Sequence, residues 1–155
     1  MSREVSNLER GGDGGVAIRG YRDLLADATA TVPSYDPATA LARLGTPDVV
    51  FVDVRDGDEL AREGKIPGAV HAARGQLEFH LDPASPYFVE GLSPAHELVF
   101  YCTDGSRAAF GAQRAMEMGY DRVANVVDGL AGWRRVGGPV VPASATVRSR
   151  PCSSS

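Results

Sequence analysis

Leu98-Val99-Phe100-Tyr101 is a short run of apolar and aromatic residues, and Cys102-Thr103-Asp104-Gly105-Ser106-Arg107 follows it directly. From Arg107 to Met118 the chain turns Ala-rich, with Phe110, Arg114 and Met118 at i, i+4 and i+8, and Gly119 closes the stretch. A four-residue apolar run reads as a buried strand, and the spacing behind it as a helix. Strand, short loop and helix make half of a βαβ unit, so the neighbouring sequence decides whether the pattern repeats.

It does. Val49-Val50-Phe51-Val52-Asp53-Val54 reads as a second buried strand, followed by a charged helical segment with Asp56 as N-cap and Gly64 as its stop. Ile66-Pro67-Gly68 turns the chain into a short strand, Ala69-Val70-His71. Downstream, Val123-Ala124-Asn125-Val126-Val127 is a last strand closed by Asp128-Gly129. Upstream, Asp36-Pro37 opens a helix that runs to Gly45, and a brief strand near Thr31-Val32 precedes it. Alternation with helix-length crossovers predicts an α/β fold: a five-stranded parallel sheet with helices on both faces. Ligands of such sheets bind at the carboxyl ends of the strands, which directs attention to the loop after Tyr101.

The 155 residues, 43% hydrophobic, are enough for one domain with a core. Residues 1–20 carry Gly11-Gly12-Asp13-Gly14-Gly15 and read as a flexible lead; 21–141 form the domain; 142–155 read as a disordered tail. With 16 basic against 20 acidic residues and no basic stripe, nucleic-acid binding is not expected. No apolar stretch is long enough to span a membrane, and the first residues lack a secretory apolar region. Two cysteines, Cys102 and Cys152, make neither a disulfide framework nor a four-ligand zinc site. A cytoplasmic protein with reduced thiols, no metal and no organic cofactor is expected; the oligomeric state stays open.

The loop has its own chemistry. If it curls, its peptide N–H groups converge on the Cys102 sulfur, and the following helix adds its positive end. Gly105 supplies a position free to take positive φ, and Arg107 brings a fixed cation to the mouth. Each of these favours thiolate over thiol, which makes Cys102 the candidate nucleophile rather than a buried small hydrophobe.

Several ordered motifs together resemble single-domain rhodanese-like sulfurtransferases over about residues 36–140. They are Val52-Asp53-Val54-Arg55, Lys65-Ile66-Pro67-Gly68-Ala69-Val70-His71, the six residues Cys102 to Arg107, Met118-Gly119-Tyr120, and Asp128-Gly129-Leu130-Ala131-Gly132-Trp133. Lys65 stands where the family more usually has histidine. The resemblance implies double displacement. Cys102 takes a sulfane sulfur from thiosulfate or a persulfide, holds it as a persulfide cradled by the amides of Thr103, Asp104, Gly105, Ser106 and Arg107, and passes it to cyanide or a thiol. It also implies that Arg74 faces the loop from the rim. A module that carries sulfur for a protein partner is the alternative. A cysteine phosphatase is disfavoured, because phosphatases with a similar loop set five residues between Cys and Arg and here four intervene. Asp104 argues against the dianion thiosulfate as the preferred donor.

Other residues read as structural. Asp53 hydrogen-bonds the strand end and Arg55 seeks a buried carboxylate. His71 reads as a hydrogen-bonded core residue, His80 and His96 as surface residues, and Trp133 as packing. The proline-broken connection 82–95 reads as a rim or lid for the site. Cys152 reads as an idle thiol, with a persulfide relay or regulatory disulfide as the sharper alternative.

Overall fold

A computed structural model describes residues 17–144. The expectations for residues 1–16, for the tail from 145 onward and for Cys152 lie outside the described residues.

The elements follow in the order α1 (Tyr21–Thr31), β1 (Ser34–Tyr35), α2 (Pro37–Arg43), β2 (Val49–Asp53), α3 (Gly57–Glu63), β3 (Val70–His71), α4 (Leu77–Leu81), β4 (Glu97–Tyr101), α5 (Ser106–Glu117), β5 (Val123–Val126) and α6 (Gly129–Arg135). One-turn 3₁₀ segments, Arg74–Gln76 and Glu90–Leu92, flank α4 and precede β4. The five strands form one sheet in the order β1-β5-β4-β2-β3, with every pair parallel. β4 therefore lies between β2 and β5, and all five of its residues are buried.

Strand alternation divides the core in two. Val52, Val54, Leu98 and Phe100 pack on one face with Ala108, Ala112 and Ala115 of α5 and with Leu77 and Leu81 of α4. Phe51, Val99, Tyr101 and Val126 pack on the other with Ala40 of α2 and with Leu130 and Trp133 of α6. Trp133 is fully buried, edge-on to Phe51 at 5.5 Å between ring centroids, and its Nε1–H donates to the Pro139 carbonyl at 2.8 Å. This two-faced sheet is the predicted architecture.

Local signals explain the helix ends. Asp36 accepts from the Thr39 N–H at 2.7 Å and Pro37 opens α2, as its sequence indicates. Asp56 holds the N-cap position of α3 without a side-chain cap bond, while Gly64 closes that helix at φ +79°.

Three expectations need correction. Thr31-Val32 is not a strand: Thr31 ends α1, its hydroxyl donates to the Asp27 carbonyl, and the Val32 N–H donates to Ala28. The strand begins two residues later, where the Pro33 carbonyl accepts from Asn125. Phe110, Arg114 and Met118, whose spacing marks the helix, lie outside the packed face of α5. That face is the small-residue row Ala108, Gly111, Ala112 and Ala115, because a Cβ on Gly111 would lie 3.1 Å from Leu77 and 3.6 Å from Phe100. His71 is exposed, although its ring bonds the Arg55 carbonyl at 2.7 Å. The connection 82–95 is tied to the amino-terminal end of the sheet, where Leu92 and Ala95 carbonyls accept from Tyr120 and Arg122 just before β5.

Asp53 and Arg55 do pair in the core. Both are fully buried, the guanidinium straddles the carboxylate at 2.7 to 3.3 Å, and it also donates to the Gly64 carbonyl at 2.7 Å.

Candidate active site

The parity of β4 decides where the sulfur lies. Phe100 faces α5 and Tyr101 faces α6, so Cys102 turns again toward α5. It is fully buried, a member of that core cluster and the first residue of the loop. The chain then reverses through Gly105, which takes φ +97° as the N-cap of α5; a Cβ there would meet the Asp128 N at 3.3 Å. Two peptide groups aim at the sulfur as a result. Gly105 N lies 3.1 Å and Ala108 N 3.4 Å from Sγ.

The loop is fixed from both sides. The Leu130 N–H donates to the Cys102 carbonyl at 2.8 Å, and the Ala131 N–H to Thr103 at 3.2 Å. On the other side the Asn125 amide donates to the Gly105 carbonyl at 3.1 Å. The closing motif around Gly129 thus anchors the loop after β4.

The loop's side chains are engaged with carboxylates. Asp104 Oδ1 accepts from the Ser106 N–H at 3.0 Å and from the Ser106 hydroxyl at 2.8 Å, and stands 3.8 Å from Sγ. These Ser106 bonds hold the Asp104 carboxyl below its ordinary value. Arg107 makes a two-armed pair with Glu59 of α3 at 2.9 and 3.0 Å, and the Thr103 hydroxyl reaches the same carboxylate at 3.4 Å. The Arg107 hydrogen bonds lower the Glu59 carboxyl, and Glu59 in turn raises Arg107 above its ordinary value.

The sequence-predicted residues are therefore brought together with one exception. Cys102, Thr103, Asp104, Gly105, Ser106 and Arg107 form the loop. Arg74 does not face it: its guanidinium pairs with Glu78 at 3.2 Å and lines a cavity with Leu24, Phe110, Gln113, Arg114 and Glu117, beside the outer face of α5. The reason is local. The 3₁₀ turn that Arg74 opens continues into α4, which sets Glu78 one helical turn away. The cradle also differs from the expected run of amides, because Ala108 contributes and Ser106 gives its N–H to Asp104.

Glu59, Ala108 and Asn125 are the loop's partners that sequence reasoning missed. A signal for Glu59 existed. A helix that follows a parallel strand starts at the carboxyl end of the sheet, and Glu59 lies in the first turn after β2, the neighbour of β4. Among the described residues no group of three or more His, Cys, Asp or Glu side chains is placed to hold a metal ion, and no helix is long and apolar enough to cross a membrane.

Residues 36–136 match the rhodanese-like domain family. A sulfurtransferase of Allochromatium vinosum is 35% identical over 96 residues, 62% of this chain and 81% of its own length. Among solved structures, a protein of unknown function from Rhodopseudomonas palustris, described as a "possible tyrosine phosphatase", is 40% identical with a TM-score of 0.77, over 81% of this chain and 97% of that one. The polysulfide-sulfur transferase of Wolinella succinogenes, a homodimer, is 29% identical with a TM-score of 0.64, over 78% of this chain and 86% of its own. The parallel sheet, the loop after its central strand and this similarity over most of the domain give one assignment: the chain belongs to the rhodanese-like family of single-domain sulfurtransferases.

Proposed function

We propose that Cys102 is the nucleophile of a two-step sulfur transfer. The observation that carries the reading is the pair of peptide N–H groups, Gly105 at 3.1 Å and Ala108 at 3.4 Å, aimed at a buried sulfur beside the start of α5. Fixed N–H dipoles stabilise a sulfur anion without reorganising during the reaction. In the first step the Cys102 thiolate attacks the sulfane sulfur of a donor. With thiosulfate the S–S bond breaks and sulfite leaves; with a persulfide R–S–SH a thiolate leaves. In the second step cyanide or a thiol attacks the outer sulfur, and the Cys102 thiolate returns as the leaving group. No metal or organic cofactor enters either step. The reducing cytoplasm is the compartment in which such a thiol persists.

A carrier role, in which the persulfide leaves only for a protein acceptor, uses the same first step and differs in the second. A phosphatase reading is weaker. Four residues between Cys102 and Arg107 make a narrow ring, and the guanidinium that would hold a phosphate is engaged by Glu59.

Intact-mass measurement after incubation with a sulfane donor tests the proposal. The expected result is a gain of one sulfur, about 32 Da, on Cys102 that is lost on adding cyanide and absent in Cys102→Ser. A gain lost only to a protein acceptor would select the carrier role. No gain with any donor would overturn both.

A further inference from the structure

Several hydrogen-bond donors that a six-residue loop could offer an anionic donor are engaged within the protein. Glu59 takes both arms of Arg107 and the Thr103 hydroxyl. Asp104 takes the N–H and the hydroxyl of Ser106. The Gly105 and Ala108 amides are turned to Sγ. With the Arg107 and Ser106 side chains given to carboxylates, that set suits one sulfur atom better than a sulfonate.

The space beside the loop has the same character. A cavity of about 300 Å³ is lined by Asp104, Ser106, Asn125 and Asp128 together with hydroxyl and apolar side chains such as Ser34 and Leu25, and has no Lys or Arg in its lining. Asn125 is nine-tenths buried, and its side-chain oxygen has no hydrogen-bond partner among the described residues. Asp128 is paired with Arg135 at 2.8 Å, and Asp56 adds its charge near Arg107. On this side the loop therefore faces two carboxylates and no Lys or Arg.

We infer that Glu59 determines the class of sulfur donor: by neutralising Arg107 and holding Thr103, it disfavours dianionic thiosulfate and makes a persulfide of low charge the preferred donor. This rests on the sulfur-transfer reading. Glu59 touches no reacting atom in this scheme; it is a specificity residue acting through Arg107. In the favoured first step the Cys102 thiolate bonds to the outer sulfur of R–S–SH, the S–S bond of the donor breaks, and its electron pair leaves on R–S⁻ while the proton stays on the transferred sulfur. No oxidant or reductant is required.

The test compares thiosulfate with hydroxyethyl persulfide as donors to the full chain, with cyanide as acceptor. In Glu59→Gln the ratio of kcat/KM for thiosulfate to that for the persulfide is expected to rise tenfold or more, through a lower KM for thiosulfate. The gain should disappear in Glu59→Gln/Arg107→Gln. A merely structural role would depress both donors together and leave the ratio in place, which would overturn the inference even while the Cys102 adduct forms. Failure of every donor to load Cys102 would instead overturn the underlying sulfur-transfer reading. The wild type supplies a check that needs no variant: sulfate, an unreactive tetrahedral dianion, offered at a concentration equal to the thiosulfate KM, should not compete with the persulfide, and competitive inhibition would count against the inference.

Discussion

Gly129 is in backbone contact with Cys102, such that a Cβ added at Gly129 would stand 2.4 Å from the Cys102 carbonyl oxygen and 2.7 Å from the Thr103 carbonyl. Gly129 also has φ +54°, and the next N–H, that of Leu130, bonds the same Cys102 oxygen. Backbone cannot swing aside as a flexible side chain can. Gly129→Ala is therefore expected to cost about 2–4 kcal/mol of folding stability and to slow Cys102 persulfide formation. Urea unfolding and the rate of mass gain measure the two effects. Gly75→Ala serves as the control, since a Cβ there meets nothing within 4 Å, and it should stay within about 0.5 kcal/mol of the wild type.

The buried Asp53–Arg55 pair gives a second expectation. Both side chains are fully enclosed, and Arg55 also bonds Gly64 and faces the Tyr101 ring at 5.8 Å. Removing one partner leaves a buried charge uncompensated, so Asp53→Ala and Arg55→Leu should each cost about 3–5 kcal/mol. The double variant should cost clearly less than the sum of the two. A double-mutant cycle by chemical denaturation reads this directly, and strict additivity would contradict it.

Tyr120 links the end of α5 to the long connection before β4. It is 4% exposed, and its hydroxyl donates to the carbonyls of Leu81 at 2.6 Å and Leu92 at 2.7 Å. Burial, with the charge of Asp82, pushes its hydroxyl up to about 12. A group whose folded value is raised contributes stability that is complete below its unfolded value, near 10, and fades as pH climbs toward the folded one. Stability should therefore fall between about pH 10 and 12, by on the order of 2 kcal/mol. Tyr120→Phe should be less stable at neutral pH and show a shallower decline across that alkaline window. Equal slopes in the two proteins would refute the assignment.

Much of this arrangement is legible from local sequence because the features that specify it are local. Val49–Val52 and Leu98–Tyr101 are apolar at successive positions, as strands covered on both faces must be. Gly64 and Gly119 mark stops that a left-handed residue enforces. Cys102, Gly105 and Arg107 are near neighbours in the chain, so their convergence follows from one turn. What was missed depends on more distant contacts. β1 is two residues long and owes its existence to pairing with Asn125 and Val126, which no periodicity in Ser34-Tyr35 announces. α1 has Leu and Ala spacing compatible with a helix, but its packing against α5 is a tertiary fact. Glu59 lies 48 residues before Arg107, so its pairing requires the strand order as well as the strands. Arg74 fails for the opposite reason: a local partner, Glu78, engages it first.

The Glu59–Arg107 pair should also leave a signature in acid. The bonds from Arg107 lower the Glu59 carboxyl, and the bonds from Ser106 lower that of Asp104. For a carboxyl whose folded value is depressed, the stabilisation is present above its unfolded value, near 4, and disappears as pH falls through the folded value. The difference in unfolding free energy between wild type and Glu59→Gln should thus be constant from neutral pH down to about pH 5, and should close in more acidic solution. Its size should be about 0.5–1 kcal/mol, because Arg107 is 36% exposed and solvent screens the pair. Denaturation curves across the acid range measure it, and added salt should shrink the plateau. A gap that persists undiminished below pH 2 would mean that Glu59 supports the loop by packing rather than by charge.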